Sequence, residues 1–393
     1  MSGETKTPVL RFPDALPWAR KRFGDFGTLR RGLTYSPADC RARGVRVLRS
    51  SNIDEDVFAL HEDDVFVCKQ AANIPFAKDG DILITSANGS SHLVGKHAIV
   101  RGLDEQSAVH GGFMLLAESN TPDFLNAAMG APWYKDFVAS NMLGGNGALG
   151  NLSKPVFEKC FFFAPSSTSE QQSIGGFFRE LDALIAEREK ALGKLESLKK
   201  AMLEKMFPQG DAKVPEVRFK GFEGEWEEHD FENVFQHIPS KHYQIPTEEY
   251  LSIGQFPVVD QGKIPIVGFT NNTEKVCRAK DNPVIVFGDH TREIKYVDFD
   301  FVVGADGTQL LRSSKHDLRF LYSLLAGMSL PNMGYSRHFK FLQEAVYVLP
   351  LNPSEQQAIG SFFRSLDALL AARREEAEKL KQLKKAFLER MFA

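Results

Sequence analysis

The sequence predicts an α+β protein: two similar mixed α/β domains separated by two long helices, which pack as an intramolecular antiparallel coiled coil with pseudo-two-fold symmetry. Three observations carry this. "SEQQSIGGFF" at Ser169–Phe178 returns as "SEQQAIGSFF" at Ser354–Phe363. The 39-residue segments 169–207 and 354–392 agree at 25 positions without a gap, far above chance for unrelated helices. Each segment also follows a stretch in which several short β-type runs precede one more helical run, the order of an α+β domain. The boundaries then fall at 1–168, 169–207, 208–353 and 354–393.

The leader "PVLRFPDALPWARKRFGDF" (Pro8–Phe26) is echoed by "PEVRFKGFEGEWEEHDFENVF" (Pro215–Phe235), which shares Pro, Arg-Phe, Trp and Phe. After it the first half runs "VRVLRSSNI", "DVFVC", "DILIT" and "HAIV", then the helical "TPDFLNAAMGAPWYKDFVAS". The second half runs "FPVVDQG", "IPIVGFT", "PVIVFGD" and "FDFVVG", then "DLRFLYSLLAGM". The long segments read as helices because their apolar residues recur at threes and fours. Ile174, Phe178, Leu181, Ile185, Leu192, Leu195, Met202 and Met206 form one stripe. Ile359, Phe363, Leu366, Leu370, Leu380, Leu383, Phe387 and Met391 form the other. Both open on Ser, an N-cap type, and the first stops before Pro208 and Gly210. About 36 helical residues reach roughly 54 Å. Such narrow stripes need a partner helix, and each is the natural partner of the other. The alternative is a pair of separate dimerisation arms.

Hydrophobic residues make up 43% and charged residues 25% of the chain, ordinary for a protein with a packed core. Cys40, Cys68, Cys160 and Cys277 form no CxxC pair, which argues against a structural zinc and a disulfide framework. No signal-like or membrane-spanning apolar run is present, so a cytoplasmic location is expected. The net charge of −3 is unusual for a protein that would hold nucleic acid by charge alone. Any such charge must be local or shared with another subunit.

Apparent catalytic motifs fail on context. "GNGALG" (Gly145–Gly150) follows a helical pattern and leads into "NLSKP", the wrong setting for a dinucleotide loop. Asp281, Asp289, Glu293 and Lys295 are residue types of a metal-dependent nuclease, at spacings common by chance. There is no GxxxxGK[ST], no HExxH and no Asn/Asp-Pro-Pro-aromatic step. No catalytic residue and no metal ligand are assigned.

What remains is recognition chemistry. Nine basic residues against two acidic ones lie between Arg20 and Arg49, enough to seat several phosphates. Arg30, Arg31, Arg43, Arg46 and Arg49 are the candidates among them; a solvated face is the plainer alternative. "TSANGSSHLVGK" gathers Thr85, Ser86, Asn88, Ser90, Ser91, His92 and Lys96 after a strand, all able to bond base edges or phosphates. The second half offers His290, Thr291 and Arg292 at a similar strand end. Lys241, Tyr243 and Gln261 precede them, and Tyr335, Arg337, His338 and Lys340 follow. The helix openings are richer in polar and small residues than a seam requires. They are candidates for contacting another protein at two equivalent places.

With these residues in view, the chain resembles a type I restriction-modification specificity (S) subunit over essentially its whole length. The paired "SEQQxIGxFFRxLDALxAxR…KLxxLKKAxLExMF" helices and the two leaders carry the resemblance. The loops "DILITSANGSSHLVGK" and "VFGDHTREIKYVDFDFVVGADGTQLL" are similar to target-recognition sequences of that family. The resemblance implies target-recognition domains at 1–168 and 208–353, each reading half of a bipartite DNA site, with spacer helices at 169–207 and 354–393. It implies two modification (M) subunits that bind S-adenosylmethionine and methylate adenine, docked near Gln171, Gln172 and Phe177 and near Gln356, Gln357 and Phe362. Two restriction (R) subunits using ATP and Mg would complete a nuclease, while this chain carries no cofactor and is not itself an enzyme. An orphan specificity subunit serving a methyltransferase alone, a metal-dependent nuclease and a coiled-coil scaffold are the alternatives.

Overall fold

The computed structural model describes residues 4–11, 16–142, 150–304, 306–328 and 337–392. Two compact units result, Met1–Arg188 with Glu376–Ala393, and Glu189–Glu375. Each takes the whole of one globular stretch plus a portion of both long helices.

In the first unit the central sheet is antiparallel, in the order His97–Ile99, Ile82–Thr85, Met114–Ser119, Gly27–Arg31. The pleat sends alternate side chains to opposite faces. Ile82, Ile84, Leu115 and Ala117 meet Phe124, Tyr134 and Phe157 on the helical side. Leu83, Met114 and Leu116 meet Leu48 and Ala108 on the other. Being buried on both faces explains the near-continuous apolar run "DILIT". A second sheet, in the order Ala108–His110, Val45–Leu48, Phe66–Val67, Cys40–Arg41, carries one parallel pair, Val45–Leu48 beside Ala108–His110.

The second unit repeats the plan. Its antiparallel sheet runs Ile294–Val297, Val284–Gly288, Thr308–Arg312, Gln236–Ile238. Ile285, Phe287 and Leu311 face the helices, and Val284, Val286 and Leu310 face away. The parallel pair is Phe256–Val259 beside Phe301–Val303. The second sheets differ at their edges. Val276–Cys277 lies outside Phe301–Val303 here, whereas Cys40–Arg41 extends the opposite edge in the first unit.

In each unit a ribbon ties the leader to the strand before a long helix. Trp18–Arg22 pairs antiparallel with Phe161–Ala164, and Glu227–Asp230 with Val346–Leu349. Trp18 and Trp226, the shared tryptophans of the leaders, are both buried. A short helix follows the central sheet at Pro122–Met129 and again at Leu318–Gly327.

The long helices span Thr168–Lys205 and Pro353–Met391. Within the first unit they run antiparallel, with Asp182 bonded to Lys384 at 2.6 Å and Arg188 to Glu376 at 2.9 Å. Within the second they do so again, through Glu196–Arg374 at 2.6 Å and Lys199–Asp367 at 2.5 Å. The coiled-coil expectation therefore holds in both units. The stripe is buried where a domain also covers it, as at Ile174, Phe178, Ile359 and Phe363. Leu383, assigned to the stripe from sequence, is 44% exposed.

Candidate nucleic-acid interface and helix openings

The two sheets can be superposed residue by residue from their hydrogen bonds. Met114 lies opposite Thr85, and Thr308 opposite Gly288. The next bonds correspond: Ser86 N–H donates to Phe113 O at 2.9 Å, and Asp289 N–H to Gly307 O at 2.8 Å. So do the loop ends. Thr85 N–H donates to Lys96 O and Gly95 N–H to Thr85 O; Gly288 N–H donates to Glu293 O and Arg292 N–H to Gly288 O, all at 2.8 Å. Thr85–Lys96 and Gly288–Glu293 are thus the same loop on the same strand end, long in the first unit and short in the second.

This pairing places Arg292 where the first unit has Gly95. Both are left-handed, with φ of 63° and 88°. Glycine takes that conformation freely and arginine does not. A strained residue inside a candidate recognition loop is a mark of function.

Several residues expected to face a ligand are instead committed internally, and these expectations are corrected. Arg30 pairs with Asp81 at 3.3 Å and Glu118 at 3.0 Å and donates to Pro75 O. Arg46 pairs with Asp64 and stacks over Phe66. Burial alone would raise the Asp64 carboxyl, but bonds from His61 N–H, the Asn52 amide and Arg46 hold it below its ordinary value. Thr85 and Ser86 are buried, Ser86 Oγ donating to Phe113 O. His338 is buried too: its backbone N–H donates to Asp289 O, just as Leu152 N–H donates to Ser86 O in the first unit. It packs in place of a leucine. Tyr335 lies outside the described residues.

Asn88 and Ser90 lie in the first loop. Asn88 donates to Ser50 Oγ at 3.1 Å and accepts from Ser90 N–H at 2.9 Å. It stands next to Gly150 across a short antiparallel pair. Gly150 is the described end of "GNGALG"; Gly145–Leu149 lies outside the described residues. Arg31, Arg43, Arg49, Ser91 and His92 are exposed; Lys96 is half-buried. In the second unit Gln261 accepts from His290 N–H and donates to Asp306 O, and Thr291 Oγ donates to Gln261 O. Lys241, Arg337 and Lys340 are exposed, with Lys340 paired to Glu344 at 3.3 Å, and Tyr243 packs on the core. Phe113, which sequence reasoning missed, is 62% exposed beside the first loop. Its only sequence signal is an aromatic following a glycine pair at a strand start.

Two of the four nuclease-type residues, Asp289 and Lys295, are otherwise employed. The Asp289 carboxylate accepts from Phe339 N–H at 2.7 Å. Lys295 donates to Asp260 O and Ile264 O at 2.8 and 2.6 Å, and burial lowers its pKa. Among the described residues no group of three or more His, Cys, Asp or Glu could hold a metal ion.

The helix openings explain much of the repeat. Gln171 Nε2 donates to Pro165 O and its Oε1 accepts from Thr121 Oγ. Gln356 Nε2 donates to Pro350 O and its Oε1 accepts from Asp317 N–H. Thr121 and Asp317 are the N-caps of the two short helices. Both glutamines are buried, so their expected role in presenting a contact is corrected: they latch each long helix to its own domain. Gly175 and Gly360 do the same by shape, since a Cβ would lie 2.6 Å from Phe124 N and 2.8 Å from Phe320 N. Phe177 and Phe362 are half-buried against Phe387 and Phe219. Gln172 and Gln357 are exposed. Gln357 lines a cleft with Arg319, Arg364, His316 and Asn282.

No family model matches the chain. Over 160 residues it is 31% identical to the type I restriction enzyme EcoR124I/EcoR124II specificity subunit of Escherichia coli, a match covering 38% of this chain and 39% of that one. The S subunit of a type I restriction-modification system from M. genitalium shares the fold over 98% of this chain and 99% of that one, with TM-score 0.66 and 14% identity. A chain from a structure of complex assembly and conformational transition in the type I R-M system covers the same shares, with TM-score 0.51 and 16% identity. By sequence over part of its length and by fold over nearly all of it, the chain is similar to type I restriction-modification specificity (S) subunits.

Proposed function

We propose that this chain is the DNA specificity subunit of a type I restriction-modification complex. The observation that carries the reading is one architecture used twice with different chemistry at one corresponding strand end. Asn88, Ser90, Ser91 and His92 stand there in one unit; Gln261, His290, Thr291 and Arg292 stand there in the other. A bipartite, asymmetric DNA site asks for this: two readers of common build that prefer different bases. Amides and guanidinium groups distinguish adenine and guanine edges, while Arg31, Arg43, Lys241 and Arg337 suit phosphates. The long helices set the unread spacer between the half-sites. The exposed Gln172 and Gln357 mark surfaces where two M subunits dock, each bringing S-adenosylmethionine for adenine methylation. R subunits bring ATP and Mg for cleavage, and this chain contributes recognition rather than catalysis. The near-neutral charge fits a subunit whose partners share the hold on DNA.

The test is co-expression with the cognate M subunit, followed by methylation-aware sequencing. The expected result is adenine methylation at one two-part motif, with Asn88→Ala altering one half and Arg292→Ala the other. Methylation without a fixed motif, or cleavage by the chain alone with divalent metal, would sink the reading.

A further inference from the structure

A single exposed phenylalanine is ordinary on a protein surface, but the setting of Phe113 is not. Its turn is rigid: Met114 N–H donates to Gly111 O at 2.8 Å, and Phe113 O accepts from Ser86 N–H, Ala87 N–H and Ser86 Oγ at 2.9, 3.0 and 2.9 Å. Those bonds fasten it to the first recognition loop. A Cβ on Gly111 would lie 3.7 Å from Arg49 Cγ, so the stem of that side chain runs beside the same turn.

The second unit shows what the position is for. Phe113 corresponds to Gly307, where a Cβ would come within 2.8 Å of both the Gln261 side-chain amide and the His290 ring. One unit fills the space beside its loop with an amide and an imidazole. The other carries an exposed phenylalanine at the corresponding position, its carbonyl bonded to Ser86 and Ala87 just ahead of Asn88 and Ser90. The ring therefore occupies a reading position and lacks any polar means of reading. On base edges in the major groove the one apolar group is the thymine C5-methyl.

We propose that Phe113 is a specificity-determining residue of the first unit, contacting the methyl group of a thymine in the bound duplex. This rests on the DNA-reading function above. Burying one methyl group corresponds to roughly a fourfold change in affinity.

The experiment uses the full chain with its M subunit. Duplexes are selected from a randomised library by the parent protein and by Phe113→Ala and Phe113→Leu. The selected thymines are then replaced singly by uracil, which removes only the methyl. The parent should bind roughly fourfold more weakly with uracil at one position. Phe113→Ala should lose that ratio while keeping the rest of the motif, and Phe113→Leu should keep part of it. Equal thymine-to-uracil ratios in parent and Phe113→Ala would overturn the proposal. So would a uniform loss on all sequences, the sign of a wedge rather than a reader. A parent that selects no motif at all would instead overturn the underlying DNA reading.

Discussion

The two units solve one problem with different chemistry. Each long helix opens with a glutamate before its paired glutamines, and each glutamate meets its own leader. Glu170 accepts from the Trp18 indole at 2.9 Å. Glu355, almost wholly buried, is held bidentately by Arg218 at 2.7 and 2.8 Å, while the Trp226 indole nitrogen has no partner among the described residues. Arg218 in turn donates to Gly224 O and Glu223 O. Duplication thus fixed the backbone plan and the latch residues while the groups they engage diverged. The lesson is that identical sequence in two places does not mean identical energetics.

The largest expected effect tests that difference. Removing one partner of a buried ion pair leaves the other charge uncompensated, at a cost of about 3–5 kcal/mol. Glu355→Ala should therefore strip hydrogen-exchange protection from the second unit. Glu170→Ala, losing one bond to a neutral donor, should cost about 1–2 kcal/mol in the first. Equal losses would erase the contrast.

Next comes acid sensitivity. His110 of the first unit occupies the place of Val303 in the second, each opposite the last residue of the neighbouring parallel strand. Burial, which outweighs the bond from its Nε2 to Arg30 O, pushes His110 down to about 4. The unfolded chain then binds the proton first, so stability is complete above about pH 6.5 and is lost as pH falls toward 4. The size is roughly 3 kcal/mol. His316 of the second unit is also lowered by burial, but it is only half-buried and should contribute less. Below this window Asp64, held low in the fold, adds a further loss as it protonates; Asp81, raised by burial, takes its proton earlier in the fold and so offsets part of the loss above the ordinary carboxyl value, not below it. His110→Val should flatten the first unit's profile between pH 6.5 and 4 in denaturant titrations. An unchanged profile would show that His110 is not its source.

The repeated glycines offer a symmetrical control. Gly175→Ala and Gly360→Ala each drive a methyl into the backbone of a short helix, and should cost about 1–3 kcal/mol in their own units. If only one is sensitive, the two latches are not mechanically equivalent.

The paired helices, the leaders and the succession of strands before a late helix were legible because apolar period and a gap-free repeat report directly on backbone plan. The openings were legible as special but not as to why: the sequence shows Gln171 and Gln356 as polar, and only packing shows them turned inward onto Thr121 and Asp317. Arg30, Arg46 and His338 mislead for a related reason. A cation or an imidazole in a loop-rich segment has the same one-letter record whether it awaits a ligand or closes on Asp81, Asp64 or Asp289. The correspondence of Phe113 with Gly307 was invisible, because nothing but hydrogen-bond register aligns two segments of such different sequence.

The smallest effect is the sharpest test of the comparison, because stability and function should move in opposite directions. Arg292 sits at φ 63° where the first unit has Gly95, and a non-glycine residue there carries a strain of roughly 1 kcal/mol. Arg292→Gly removes the strain and should stabilise the second unit by up to that amount, though the added flexibility of glycine in the unfolded chain returns part of it. Arg292→Ala keeps the strain and gains nothing. Both variants lose the guanidinium, and both should relax base preference in one half-site by about 1–3 kcal/mol. If affinity instead falls on every sequence and the salt dependence weakens, the arginine holds a phosphate. A glycine variant that is more stable and reads DNA unchanged would leave the strain without a purpose, and the match between the two loops would be one of backbone alone.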